Sequence, residues 1–93
     1  MFTTPKPNLY VSSDGFSVEV LGRTGLCYRE GERKMFVDSE VITGPSGMVV
    51  YKSRIKKWDS PHETQPITDA DRDKIVENIR NAFRFQNFEI DVI

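Results

Sequence analysis

The chain has almost none of the cysteine and histidine from which zinc and redox sites are built. Its 93 residues hold one cysteine, Cys27, and one histidine, His62. One cysteine forms no internal disulfide, and a zinc site would have to join Cys27 and His62 to carboxylates at spacings such sites do not use. An excess of one charge is also lacking: 13 Lys and Arg face 14 Asp and Glu, a net charge of -1. Proteins that bind nucleic acid through counter-ion release usually carry a basic surplus, so nucleic acid is not the default partner. Met1–Asn8 lacks the apolar run of a signal peptide or membrane span, so a cytoplasmic protein with no membrane partner is expected. Internal repeats, low-complexity tracts and linkers are absent as well, and one domain over residues 1–93 is expected. A chain of this length buries only roughly 60–65% of its unfolded surface, which leaves room for one modest core. The 6 Phe, 3 Tyr and 1 Trp supply much of it.

What is present is alternation broken by glycine. Residues 1–8 carry Pro5 and Pro7 around Lys6 and read as an extended arm rather than the centre of a strand. Leu9–Ser12 is a short strand, Asp14-Gly15 suits a hairpin turn, and Phe16, Val18 and Val20 alternate with polar residues. After Gly22-Arg23-Thr24-Gly25, Leu26 and Tyr28 share one face, while Cys27 and Arg29 share the other. Gly31 makes the next hairpin. Lys34–Thr43 places Met35, Val37, Ser39 and Val41 on one face and Phe36, Asp38, Glu40 and Ile42 on the other. Both faces are partly apolar, which suggests a central strand. Gly44-Pro45-Ser46-Gly47 turns the chain into Met48–Lys52.

Ile55 and Trp58, three apart among Arg54, Lys56 and Lys57, have the spacing of a helical turn. Asp59–Pro66 is a surface loop. A helix follows from about Thr68 to Phe85, with Thr68 and Asp71 as a capping box and Ile75, Val76, Ile79, Ala82 and Phe83 as its buried stripe. Asn87 ends it, and Phe88, Ile90 and Val92 alternate as a last strand able to extend the sheet at an edge. The expected fold class is α+β: a mostly antiparallel meander of five to six strands, with one long C-terminal helix packed on it.

Reaction chemistry has few carriers. Asp59, His62 and Glu63 form a local set suited to metal or acid–base work, but polar residues are ordinary in a proline-flanked loop. Cys27 in a strand is more often a packing residue than an activated thiolate. Gly22–Gly25 opens into a strand, whereas phosphate loops open into a helix. Lys52, Arg54, Lys56 and Lys57 form the densest basic cluster, with Tyr51 and Trp58 beside it as conceivable stacking platforms. Asp38 and Glu40, on the same face as Phe36, must reach solvent at a binding face or find a partner such as Arg23 or Arg29. No catalytic residue, cofactor or metal site is assigned.

The block Gly22–Glu30, then Val37-Asp38-Ser39-Glu40, Gly44–Gly47, Tyr51, Ile55 with Trp58 and the Ile75/Ile79 helix, resembles small immunity proteins of bacterial polymorphic-toxin systems, the type named immunity protein 74. The likeness covers most of Val18–Ala82. It implies a cytoplasmic antidote that binds a cognate toxin domain, blocks its active site or assembly, and needs no catalysis of its own. Many such antidotes are acidic covers for basic nucleases; this near-neutral chain departs from that pattern and leaves the toxin's activity open. A binding face needs aromatic and arginine anchors with a charged rim. Arg23, Arg54, Trp58, Asp59, His62 and Glu63, with Tyr51 and Glu40, are the residues expected to form it. The alternatives are a small nucleic-acid-binding module using Lys52–Lys57 and an enzyme using Asp59, His62 and Glu63. A homodimer through an edge strand such as Phe88–Val92 is compatible with each of them.

Overall fold

Hairpin turns place consecutive strands side by side. In the computed structural model, which describes residues 1–41 and 47–93, strands β1 (Phe2–Lys6), β2 (Leu9–Ser12), β3 (Phe16–Val20), β4 (Gly25–Glu30), β5 (Arg33–Val41) and β6 (Met48–Val50) follow chain order across the sheet. Each is antiparallel to the one before. The β4–β5 turn shows the local cause: Gly31 sits at φ +63°, a conformation that side chains disfavour, and Glu30 pairs directly with Arg33. Helix α1 (Asp69–Arg84) then crosses the sheet, and the chain returns as β7 (Asp91–Val92), parallel to β6. The fold is thus α+β, with seven strands among the described residues. Ile42, Thr43 and most of the expected Gly44–Gly47 turn lie outside the described residues.

Two expectations about the chain ends change. The N-terminal segment is extended but not a loose arm: Phe2–Lys6 pairs with β2 as an edge strand, and its register breaks between Thr3 and Lys6, around Pro5. Proline lacks a ladder donor and is tolerated at an edge. Phe2 anchors the strand, its ring lying 5.6 Å from Phe16 and 5.5 Å from Phe85. At the other end, Phe88 does not enter a strand. Its ring packs 5.9 Å from Phe83 and fills the space where a Cβ on Gly47 would lie, 2.3 Å away. Only Asp91 and Val92 remain to pair. The pairing is parallel because a crossover through α1 brings the chain back in the direction of β6.

The core lies between α1 and one face of the sheet. Val18, Tyr28 and Met35 are aligned by register on adjacent strands and are fully buried, as are Leu26, Val37 and Val50. Against them the helix sets Ile75, Val76, Ile79, Ala82 and Phe83, its entire buried stripe. The Thr68 hydroxyl accepts from the Asp71 amide, and the Asp71 carboxylate accepts from the Thr68 amide, so the capping box closes in both directions. The expected helical turn around Ile55 is instead a 3-10 turn over Lys52–Arg54, ending before Ile55. Ile55 and Trp58 still both point into the core.

Candidate partner-binding face

One helix with one apolar stripe covers one face of a sheet, and the other face stays open. Strand parity puts Glu19, Cys27 and Phe36 in one cross-strand row on that open side. Phe36 is 50% exposed and Leu21, at the end of β3, is 55% exposed. Phe36 lies diagonally over Gly25: a Cβ there would sit 2.3 Å from two ring atoms. Glycine thus provides the flat seat on which the ring rests. Around Phe36 a concavity of about 290 Å³ is lined by Leu21, Cys27, Arg29, Lys34 and Asp59, among others. An apolar centre inside a charged rim is the anatomy of a protein-binding patch.

The far end of β5 carries a preorganised polar cluster. The Tyr51 hydroxyl donates to Glu40 Oε2 at 2.8 Å, and the Arg54 guanidinium lies 4.5 Å above the Tyr51 ring. Arg54 Nη1 stands 3.7 Å from Asp38 Oδ2, and the Tyr51 amide donates to the Asp38 carbonyl at 3.1 Å. The partners of Asp38 and Glu40 are therefore Arg54 and Tyr51, not the expected Arg23 or Arg29. Donation to the Glu40 carboxylate holds the Tyr51 phenol above its ordinary pKa. Exposed contacts of this kind add little stability. They do hold a tyrosine and an arginine in fixed orientations, which lowers the entropy lost on binding.

The residues expected to form one binding face separate into two groups. Glu40, Tyr51 and Arg54 lie together, and the Arg23 carbonyl accepts from the Val41 amide at the same end of the sheet. Asp59 lies near the other end, its amide donating to the Lys34 carbonyl at 2.8 Å. Six residues of strand separate Lys34 from Glu40, about 20 Å. Asp59 still borders the open face, whereas His62 and Glu63 continue along the loop, with the His62 amide bonded to the Asp59 carbonyl. Trp58 is not a surface anchor. It is 3% exposed, 6.2 Å from the Tyr28 ring, and its indole is capped by the Arg33 guanidinium at 4.3 Å. A core this small takes its largest side chain inward.

Phe36 and Leu21 were absent from the expected site, although the signal for Phe36 was present: an aromatic on the face opposite the core-facing Met35 and Val37. A second network was also missed. Tyr28 donates to Glu30 at 2.7 Å and accepts from Asn78 at 2.9 Å, tying the sheet to the helix. Burial pushes the Tyr28 phenol well above its ordinary pKa, against the opposing effect of the Asn78 bond.

The basic cluster is dispersed rather than assembled into a track. Lys52 pairs with Asp73, Arg54 with Asp38, and Trp58 is buried. Among the described residues, no group of three or more His, Cys, Asp or Glu is placed to hold a metal ion, and no helix is long and apolar enough to cross a membrane. No curated protein and no solved structure matches the chain. The family model of immunity protein 74 matches residues 17–93, from the second residue of β3 through α1 and β7. Strands β4 to β7, nearly all of β3, the helix and the Glu40–Tyr51–Arg54 cluster lie within the matched region, β1 and β2 precede it, and the chain belongs to the immunity protein 74 family.

Proposed function

We propose that this immunity protein neutralises a cognate toxin domain by laying the open face of its sheet over the toxin's active site or assembly surface. The observation that carries the reading is Phe36, half exposed on its glycine seat beside the Glu40–Tyr51–Arg54 cluster. Phe36 is the apolar centre, and Tyr51 and Arg54 are the oriented anchors. Glu40 and Asp59 carry the charged rim, with Arg23, His62 and Glu63 at its periphery. The antidote acts by occupancy in the cytoplasm of the protected cell, without catalysis. Co-expression with the toxic domain encoded beside it, followed by calorimetric titration of the separated pair, tests this. A tight one-to-one complex that abolishes toxicity is expected, and Phe36→Ser and Arg54→Ala should each weaken it about tenfold or more. Unchanged affinity in both folded variants would remove the open face from the reading, and an absence of both binding and protection would end the reading itself.

A further inference from the structure

The outward residues of β5 run Lys34, Phe36, Asp38, Glu40, with Arg29 beside Lys34 on β4. The central triplet Lys34, Phe36, Asp38 is complementary to its own reverse. A two-fold axis through Phe36 sets Lys34 of each copy against Asp38 of the other, with the two Phe36 rings between them. Among the described residues, neither Lys34 nor Arg29 has a carboxylate within salt-bridge distance. Asp38 keeps 42% of its side chain exposed despite Arg54. Lys6 neutralises Glu19 at 3.2 Å, and Arg23, Arg54 and Asp59 flank the row, so the β5 row sets the register. We propose that the open face closes on the open face of a second copy of this chain, Phe36 on Phe36, in an isologous dimer.

The area defines what kind of dimer this is. Strands β2 to β5, about 4.8 Å apart and roughly six residues long, offer a footprint on the order of 400 Å² per copy. Stable interfaces cover about 800 Å² per partner, so the dimer is weak and exchanges readily. It is a resting form that shields Phe36 and Leu21 from other apolar surfaces and yields the face to a tighter partner. The pairing stands independently of the antidote reading.

Sedimentation equilibrium of the full chain, from about 10 μM to about 1 mM, tests it. A monomer–dimer equilibrium that weakens with salt is expected. Lys34→Glu alone and Asp38→Lys alone each bring like charges together twice and should weaken self-association about tenfold or more. An equimolar mixture of the two variants restores both attractive pairs and should dimerise as the unaltered chain does. Circular dichroism verifies the fold of each. A chain monomeric throughout, variants that dimerise unchanged, or a mixture that fails to recover would each overturn the proposal. Toxin binding by a strictly monomeric chain would sink the dimer and spare the antidote reading; a dimer that binds no toxin would do the reverse.

Discussion

Replacing Gly25 by alanine should have opposite effects on stability depending on whether Phe36 is present. The Phe36 ring buries about half of its surface, on the order of 100 Å², which corresponds to at most about 2.5 kcal/mol of apolar burial. A Cβ on Gly25 would meet two ring atoms at 2.3 Å, so the ring must swing outward and lose part of that contact. Alanine in a strand recovers about 0.5–1 kcal/mol over glycine. The net cost of Gly25→Ala should be about 1–2 kcal/mol in the unaltered chain. In a Phe36→Ala background the collision is gone, and the same substitution should be neutral or stabilising by up to about 1 kcal/mol. Urea unfolding of the four chains of this cycle at 25 °C measures both values. A destabilisation of the same size in both backgrounds would refute the seat, because it would place the cost of the Cβ somewhere other than the Phe36 ring.

Ile79 is fully buried at the centre of the helix stripe, so Ile79→Ala should cost about 2–5 kcal/mol, read from the urea midpoint. Thr68→Ala opens the capping box and should cost about 1 kcal/mol, while Thr68→Ser should retain most of the stability. The hydrogen bonds from Thr68 hold the Asp71 carboxyl below its ordinary value of 3.8. A depressed folded pKa stabilises above the unfolded value and is lost as pH falls through the folded one. Unfolding midpoints from about pH 5 down to pH 2.5 should therefore decline less steeply in Asp71→Asn. In ultraviolet titration, Tyr51 should ionise above the ordinary phenol range, and Glu40→Gln should bring it down. A Tyr51 titration unmoved by that change would remove Glu40 as its partner.

What could be read without coordinates was local. The glycine turns, the two-residue alternation of β3, β4 and β5, the Thr68–Asp71 cap and the full helix stripe all follow from stereochemistry acting within a few residues. Family membership was legible for the same reason, since it is carried by those turns and apolar positions. The short, parallel β7 was not legible, because Phe88 is drawn away by Phe83 and the open space at Gly47, contacts that alternation does not encode.

The composition and periodicity of the chain by themselves determined an α+β fold, the alternation of β3, β4 and β5, and the one buried face of the helix. Only the tertiary structure decided the fate of the rest. Tryptophan and phenylalanine are both large aromatics, yet Trp58 is drawn beneath Arg33 into the core, while Phe36 stays outside on Gly25. The difference is one of coverage: a single helix shields one side of the sheet and no more. The partners of Asp38 and Glu40 likewise come from sheet register, which brings the chain after β6 back alongside β5. Local spacing sets how a strand alternates, and packing sets which of its two sides meets water.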